Sequence, residues 1–317
     1  GKATPFWKRG IFCVRLNVEP SDRSVQDIAC GIDPGSKKEA FTIKSESHTY
    51  LNIQSDAITW VKDAVECRRN ARRSRRQRKT PYRKCRYNRI GGTCGSLVEG
   101  IPPSTKARWG WKLRICNWLR KIFPISHYIV EDIKAKTGKG SKKWNKSFSP
   151  LEVGKSWFYS ELEKIGDLTL KQGWETKELR DRLGLKKSTN KLSNKFETHC
   201  VDSWVLANYQ HNGHDSPDNK EILLVTPLQF HRRQLHVFNF IKGGIRRLYG
   251  GTRSLGFKRG SIVTHIKHRL CFVGGTSKGK ISLHGISDGK RICQNAIPSD
   301  IRFLTFSSWR WSHSSPA

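Results

Sequence analysis

Short apolar runs alternate with turns over the first fifty or so residues of the chain. The runs are IFCVRLNV, IACGIDPGS, AFTIKS and TYLNIQ, and Glu-Pro-Ser-Asp and Asp-Pro-Gly stretches punctuate them. Short apolar runs bounded by Gly, Pro and Asp are typical of β-strands. Residues 11–53 are therefore predicted to form a series of strands.

From Ala57 the apolar spacing changes to that of a helix. Ile58, Val61 and Val65 follow one another at intervals of three and four residues, and Pro81 is predicted to end or kink this helix. HYIVEDIKA reads as a short buried strand, and helical patterns recur in WGWKLRICNWLRKIF, PLEVGKSWFYSELEKIG, WETKELRDRLGL and KFETHCVDSWVLANYQ. Strands followed by alternating helices predict an α/β domain that runs to about residue 210.

The composition shifts after the polar stretch HNGHDSPDNK. Eleven glycines lie from Gly243 to Gly289, among short β-like runs such as SIVTHI, LCFVGG and KISLHG. This density of turns predicts a small β-rich domain at the C-terminal end.

Four tryptophans of the preceding α/β region have helical spacing and apolar neighbours: Trp111, Trp118, Trp157 and Trp204. Their side chains are therefore predicted to belong to the core.

The charge of the chain narrows the class of partner. Sixty Lys and Arg against 26 Asp and Glu give a net charge of +34, while 36% hydrophobic residues exclude a disordered polyelectrolyte. Such an excess implies a polyanion held through counterion release, with nucleic acid the first candidate. No amphipathic stripe or long apolar run predicts a membrane partner, and no signal peptide opens the chain. Nine cysteines without any C-x-x-C argue against a disulfide framework or a zinc ribbon.

One stretch concentrates the positive charge. Twelve of the 22 residues from Arg68 to Arg89 are Arg or Lys, and none is Asp or Glu. Arginine can hold phosphate oxygens with two parallel hydrogen bonds and can stack on bases, so RNA contact is predicted here, although a merely solvated face is the alternative. The predicted RNA-binding residues are Arg68, Arg69, Arg72, Arg73, Arg75, Arg76, Arg78, Arg83, Arg86 and Arg89.

Three acidic residues lie inside or beside elements predicted to be buried. Asp33 closes the apolar run IACGID, Glu131 lies in YIVEDIKA, and Asp202 follows His199 by three residues on a predicted helix, which would place both side chains on one face. A carboxylate in an apolar strand is costly unless it is paired or binds a metal. Hard oxygen ligands suit Mg²⁺, but each acid could equally pair with one of the many cations.

The stretches GIDPGSK, VEDIKA and HCVDSWVLA, in that order, resemble the three motifs of a RuvC-type nuclease with an RNase H-like fold. The Arg-rich stretch between the first and second motifs resembles the bridge helix of the transposon-encoded IscB and IsrB proteins. The C-terminal stretches PLQFHRRQLHVFN and KGGIRRLYGGTRSLGFKRG resemble the terminal domain of the same family. No histidine lies between Asp132 and Thr198, where IscB carries an HNH nuclease that needs histidines. The resemblance is therefore to IsrB, which has a RuvC site alone.

This resemblance implies an RNA-guided DNA nickase that cuts the displaced, non-target strand. Asp33, Glu131 and Asp202 would hold two Mg²⁺ or Mn²⁺ ions, and His199 would activate the attacking water or balance charge on the phosphate. Asp132 is the rival of Glu131, but neighbouring strand residues face opposite sides, so only one can enter the site. The implied partners are a guide RNA of the omega type and double-stranded target DNA. The implied particle is a monomeric ribonucleoprotein in the bacterial cytoplasm, associated with the nucleoid.

The resemblance also implies a division of the chain. It consists of an N-terminal remnant (1–27), RuvC part I (28–56), the bridge helix (57–92), RuvC parts II and III (93–210) and a β-rich C-terminal domain (211–317). The last would read a short motif beside the target, although a domain that touches only RNA phosphates is the alternative. Its predicted DNA-binding residues are His231, Arg232, Arg233, Arg246, Arg247, Arg253, Lys258 and Arg259.

Two further functions stay open at this point. One is a guide-free, structure-selective nuclease of the resolvase kind, and the other is an RNA-binding relative that does not cut. Family members usually have residues ahead of KATPFWKRG, and the chain contains no Met, so an incomplete start is expected. The presence of all three acids and His199 favours a working site.

Overall fold

A computed structural model describes residues 1–8, 11–19, 24–79, 101–132, 134, 150–211, 213–229, 238–239, 244–245 and 253–314. The chain divides into two compact units, one formed by Val25–Leu224 and the other by Gly1–Ser24 with Val225–His313. Within the described ranges, no helix is both long enough and apolar enough to span a membrane.

The strands and helices are as follows. The strands are β1 (Ala3–Lys8), β2 (Ile11–Leu16), β3 (Ile28–Asp33), β4 (Lys38–Lys44), β5 (Thr49–Asp56), β6 (Ile125–Asp132), β7 (Asp167–Gln172), β8 (Ile222–Pro227), β9 (Phe238–Asn239), β10 (Gly244–Ile245), β11 (Arg253–Ser254), β12 (Phe257–Lys258), β13 (Ser261–His265), β14 (Arg269–Ser277), β15 (Lys280–His284), β16 (Arg291–Ala296), β17 (Ile301–Phe306) and β18 (Trp309–Ser314). The helices are α1 (Val61–Lys79), α2 (Pro103–Leu119), α3 (Lys155–Glu163), α4 (Gly173–Arg182) and α5 (Cys200–His211), and short 3₁₀ turns cover Pro150–Glu152, Phe196–Thr198 and Pro298–Asp300.

A mixed sheet organises the unit Val25–Leu224. Six of its strands run in the order β8-β5-β4-β3-β6-β7. Strands β3, β4 and β5 are antiparallel neighbours, whereas β6 is parallel to β3 and β7 is parallel to β6. The mixed α/β class expected from the sequence is therefore confirmed. Because β3 and β6 are parallel neighbours, their carboxyl ends meet at one edge of the sheet.

Helix α5 packs directly against the centre of this sheet. Its residues Leu206 and Ala207 are fully buried beside Ala29 and Ile129. A Cβ atom at Gly31 would lie 1.9 Å from the backbone oxygen of Ser203. Only glycine allows the backbones of β3 and α5 to come this close.

Substituting Gly31→Ala should lower the free energy of unfolding by about 3 kcal/mol or more, because the clash is with helix backbone and not with a side chain that can turn away. Urea unfolding followed by circular dichroism measures this change. Gly110→Ala is the matched control, since this glycine lies within α2 and a Cβ atom there would meet no atom within 4 Å. The control should be neutral or stabilising by up to about 1 kcal/mol, and equal effects at both positions would contradict the packing argument.

Two features of this unit differ from the sequence-based predictions. Strand β7 was not predicted; it pairs in parallel with β6, and its residues are all exposed or half-buried, so it carries no strong apolar run. Helix α5 begins at Cys200, so His199 precedes the helix, with a φ of −134°. Trp111 and Trp204 are buried as predicted, whereas Trp118 and Trp157 are only half-buried.

The second unit is built from β-strands. Strands β1 and β2 form an antiparallel hairpin, and β16, β15, β14, β13 and β17 form a five-stranded antiparallel sheet in that order. The core of this sheet consists of Val263, Cys271, Val273, Ile281, Leu283, Ala296 and Ile301. The runs SIVTHI, LCFVGG and KISLHG all fall within its strands or overlap them, as the sequence predicts.

Candidate metal centre at the carboxyl ends of β3 and β6

Asp33 and Glu131 lie at neighbouring strand ends. Asp33 is the last residue of β3, and Glu131 is the next-to-last residue of β6, where Val130 pairs with Ile32 across the parallel ladder. Asp202 joins them from the first turn of α5, the helix that packs on β3, and its side chain is only 3% exposed. The fold thus brings together three acids that are 169 positions apart in sequence from first to last.

The electrostatics of Asp33 reflect this crowding. The pKa of its carboxyl is raised to about 8, first by burial and then by the charges of Glu131 and Asp202, while the charge of Lys187 acts in the opposite direction. Like charges in a poorly solvated place oppose one another's ionisation. Even with the Lys187 ammonium beside the cluster, a pKa of about 8 favours the protonated form of Asp33 at neutral pH, and a bound divalent cation would favour its ionised form.

Glu131 is held in the same cluster by the start of α4. Burial is the main cause of its raised pKa, followed by the charge of Asp202, and a hydrogen bond from the Thr176 side chain acts in the opposite direction. A Cβ atom at Gly173 would lie 3.2 Å from the Glu131 Oε1 atom. A larger residue at the beginning of α4 would therefore crowd this carboxylate.

Two cations lie against the third acid. The Arg180 Nη1 atom is 2.6 Å from the Asp202 Oδ1 atom, and the Lys187 Nζ atom contacts Asp202 Oδ2. The pKa of Lys187 is raised above its usual value despite burial, because the charges of Asp33, Asp202 and Glu131 favour its ammonium form. The ammonium of Lys187 thus offsets part of the negative charge of the acid cluster in this structure. Neither cation is predicted from the sequence.

The donor set fits a hard divalent cation. Three carboxylates supply the oxygen ligands that Mg²⁺ and Mn²⁺ prefer. The raised pKa of Asp33 indicates that the nearby cations do not fully compensate the negative charge of the acids. Among the described residues, no three His, Cys, Asp or Glu side chains are already arranged as a metal cage. The ammonium of Lys187 already holds the Asp202 carboxylate in an ion pair. A metal ion at this place would have to displace it.

Replacing Lys187 with Met should tighten Mn²⁺ binding roughly tenfold, because the ammonium competes with the ion for the same carboxylates. Titration of the protein with Mn²⁺, followed by electron paramagnetic resonance of the free ion, measures the dissociation constant. Lys186→Met is the control, because it removes an adjacent exposed lysine that has no ion pair within the described ranges. Equal Mn²⁺ affinity in the parent, Lys187→Met and Lys186→Met would contradict the competition.

His199 lies beside the cluster, though not on the helix that carries Asp202. Its Nε2 atom is 3.1 Å from the Lys191 carbonyl oxygen, which can only accept, so Nε2 carries the hydrogen in the neutral ring. Burial, assisted by the charges of Lys187 and Lys38, lowers the pKa of the ring. His199 is consequently neutral at pH 7, and its Nδ1 atom is able to accept a proton.

Asp132, the rival of Glu131, is engaged on the other side of β6. Its Oδ1 atom accepts hydrogen bonds from Lys155 Nζ (2.8 Å) and Tyr159 Oη (3.0 Å), and Oδ2 accepts one from Gln172 Nε2 at 2.9 Å. These bonds outweigh burial and lower the pKa of Asp132. The carboxylate is a structural ion-pair partner, so of the two neighbouring acids only Glu131 joins Asp33 and Asp202.

The first part of the Arg-rich stretch forms helix α1. The helix ends at Lys79 and so carries seven of the ten arginines predicted to bind RNA. The side chains of Arg68, Arg69, Arg72 and Arg73 are exposed. Arg75, Arg76 and Arg78 lie on the helix, while their side chains, together with Arg83, Arg86 and Arg89, fall outside the described part of the chain.

Three of the predicted DNA-binding residues fall within the described part of the C-terminal unit. Arg253 and Lys258 face each other across the β11–β12 pair, and Lys258 Nζ lies 4.0 Å from the ring centre of Phe306. Arg259 follows at once and is half-buried. The remaining five, His231, Arg232, Arg233, Arg246 and Arg247, lie outside the described residues.

Comparisons with known proteins give two likenesses. A family model described as RRXRR protein matches residues 1–145, a range that includes Asp33, helix α1 and Glu131. The solved structure of T. thermophilus RuvC in complex with Holliday junction substrate is similar over 57% of this chain and 90% of that chain, with 12% sequence identity and a TM-score of 0.29. No curated protein matches.

Proposed function

We propose that this protein is an RNA-guided DNA nickase with an RNase H-like nuclease site of the RuvC kind. The observation that carries the proposal is the convergence of Asp33, Glu131 and Asp202, one from each of the three motifs, in a single electrostatically coupled cluster. The mixed sheet and the RRXRR match across the first two motifs support it.

The three acids would hold two Mg²⁺ or Mn²⁺ ions at the carboxyl ends of β3 and β6. Bound divalent ions supply charge stabilisation for the attacking and leaving oxygens of a phosphodiester. Thr176 and Arg180 hold Glu131 and Asp202 in place through direct hydrogen bonds. His199, neutral and with Nδ1 unprotonated, would accept the proton of the attacking water.

Lys187 would act on the substrate. Its ammonium is attached to a flexible side chain that is 36% exposed, so it can leave Asp202 without rearrangement of the backbone. Once the acids hold metal, a phosphate oxygen of the DNA strand is the natural next partner for this charge. Lys187 would then orient the strand and help to neutralise the phosphate as it is attacked.

RNA guidance rests on helix α1 and on its place in the chain. The helix follows β5 directly and presents exposed arginines over its described part, with no carboxylate from Arg68 onward. An arginine surface of this kind suits the phosphates of a folded RNA. The RNA would select the target by base pairing, and the C-terminal unit would contact the DNA beside it.

A plasmid assay tests the proposal. The full chain, the structured RNA encoded beside its gene and Mg²⁺ are incubated with supercoiled plasmid that carries a matched target, and the nicked form is expected to accumulate. Cutting of a four-way DNA junction without RNA would support a structure-selective nuclease instead. RNA binding that persists in EDTA, with no nick under Mg²⁺ or Mn²⁺, would support a non-cutting RNA-binding protein.

A further inference from the structure

A fully buried ion pair lies next to the Asp33 turn. Lys112, in the middle of α2, contacts the Glu39 Oε2 atom on β4, and both side chains are 0% exposed. Burial raises the pKa of Glu39 to about 7, although the charge of Lys112 and a hydrogen bond from it act in the opposite direction. The Lys112 ammonium also lies 5.0 Å from the ring centre of Trp109.

The same ammonium reaches the turn that follows Asp33. Its Nζ atom is 3.5 Å from the carbonyl oxygen of Gly35, two residues after Asp33. The turn is tight, because a Cβ atom at Gly35 would lie 1.5 Å from the backbone oxygen of Lys38. Lys112 therefore joins helix α2, strand β4 and the Asp-Pro-Gly turn at a single atom.

Helix α2 has further bonds to the same region of the sheet. The Trp111 Nε1 atom donates to Ser55 Oγ on β5 at 2.9 Å, and the Arg108 Nε atom donates to the Ile58 carbonyl oxygen at 3.3 Å. The helix is thus fixed against β5 and against the segment that leads into α1. Through its contact with the Gly35 carbonyl oxygen, Lys112 links this fixed helix to the turn that follows Asp33.

We propose that Lys112 and Glu39 are positioning residues that hold the Asp33 turn in the geometry needed to bind metal. This inference rests on the proposed nuclease function. Replacement of a buried ion pair by well-packed apolar residues is often neutral or stabilising, so stability alone is a weak reason for this pair. Among the described residues, Lys112 is the ion-pair partner of the Glu39 carboxylate, and the charge of Glu39 also acts weakly on the nearby Asp33.

The test replaces the pair without leaving a buried charge. In the full-length Glu39→Leu/Lys112→Met variant, apolar side chains of similar size fill the space, but the bond to Gly35 is lost. Its affinity for Mn²⁺, measured by electron paramagnetic resonance, should fall about tenfold, while its melting temperature stays near that of the parent. Glu39→Gln/Lys112→Gln is a second variant. Its two amide groups can bond each other, but the side chain at position 112 is then too short to reach Gly35. It should show the same loss of affinity.

Lys44→Met is the matched control. Lys44 lies at the other end of β4, is likewise fully buried, and donates to the carbonyl oxygens of Ser45 and Glu46 at 2.8 and 3.1 Å. It should lose stability and keep its Mn²⁺ affinity. If either folded double variant binds Mn²⁺ as tightly as the parent, the positioning role is wrong and the metal site still stands. Absence of Mn²⁺ binding in the parent would overturn the metal site, and the positioning role with it.

Discussion

Replacing Asp33 with Ala is expected to reduce nicking of a target-matched supercoiled plasmid on the order of a thousandfold, the effect of several kcal/mol of lost transition-state stabilisation. Asp33 is the carboxylate that the rest of the cluster perturbs most clearly, with a pKa raised to about 8 by burial, Glu131 and Asp202. Loss of this ligand would weaken metal binding and misplace the attacked phosphate. Gel electrophoresis of supercoiled and nicked plasmid over time, at saturating Mg²⁺, measures the rate.

The same substitution should make the metal-free protein more stable. The folded pKa of Asp33, about 8, lies above its ordinary value of 3.8, so the native state holds a proton that the unfolded chain releases. Between these two pH values, the contribution of Asp33 to stability falls as pH rises. Asp33→Ala removes this penalty, and its melting temperature at pH 8 should exceed that of the parent. Addition of Mg²⁺ should raise the melting temperature of the parent and leave that of Asp33→Ala unchanged.

Asp181→Asn is the control for the Asp33 experiments. Asp181 is next to Arg180 on α4, but its side chain is 56% exposed, and its nearest approach to the Arg180 guanidinium is 4.0 Å. The control should nick at the parental rate and show the parental response to Mg²⁺. If Asp33→Ala nicks as fast as the control, the assignment of the metal centre is wrong.

The sequence predicts the strands that carry the first two acids because both strands are buried. IACGID and HYIVEDIKA are short apolar runs, and the chain has few ways to bury them other than in the middle of a sheet. The partially exposed β7 has no comparable run and was missed, although its pairing with β6 completes this side of the sheet. Local sequence patterns indicate which segments are buried. They do not predict a strand such as β7, which has no apolar run and forms by hydrogen-bonding to its neighbour β6.

The cations of the site could not be predicted for a different reason. Arg180 and Lys187 precede Asp202 by 22 and 15 residues, and they reach it only because α4 and the chain that follows pack against α5. Nothing in the local sequence separates them from the other 58 Lys and Arg residues. The carboxylates, being fewer and placed in apolar surroundings, were identifiable. His199 is an intermediate case, since it lies beside the cluster but one residue before the helix on which the sequence pattern predicts it.

Replacing Arg72, Arg73, Arg75 and Arg76 with Ala should weaken binding of the structured RNA at least about a hundredfold at physiological salt. Each phosphate contact that is lost removes about 0.7 to 0.9 from the slope of log affinity against log salt, so this slope should fall by about 3. Filter binding or fluorescence anisotropy at several salt concentrations measures both quantities. The fold should survive, because alanine favours a helix and the described side chains of this segment are exposed.

A variant with the same change in net charge distinguishes RNA contact by α1 from attraction of the RNA to the total positive charge of the protein. Lys121, Lys164, Lys177 and Lys186 are exposed lysines elsewhere in the unit Val25–Leu224, and their replacement by Ala removes four charges as well. If α1 is the RNA-binding helix, this control should lose only a few-fold in affinity. Equal losses in the two variants would mean that the RNA responds to total charge, and that α1 has no special role. Loss of folding in the arginine variant with RNA affinity retained would show instead that α1 serves the structure of the protein.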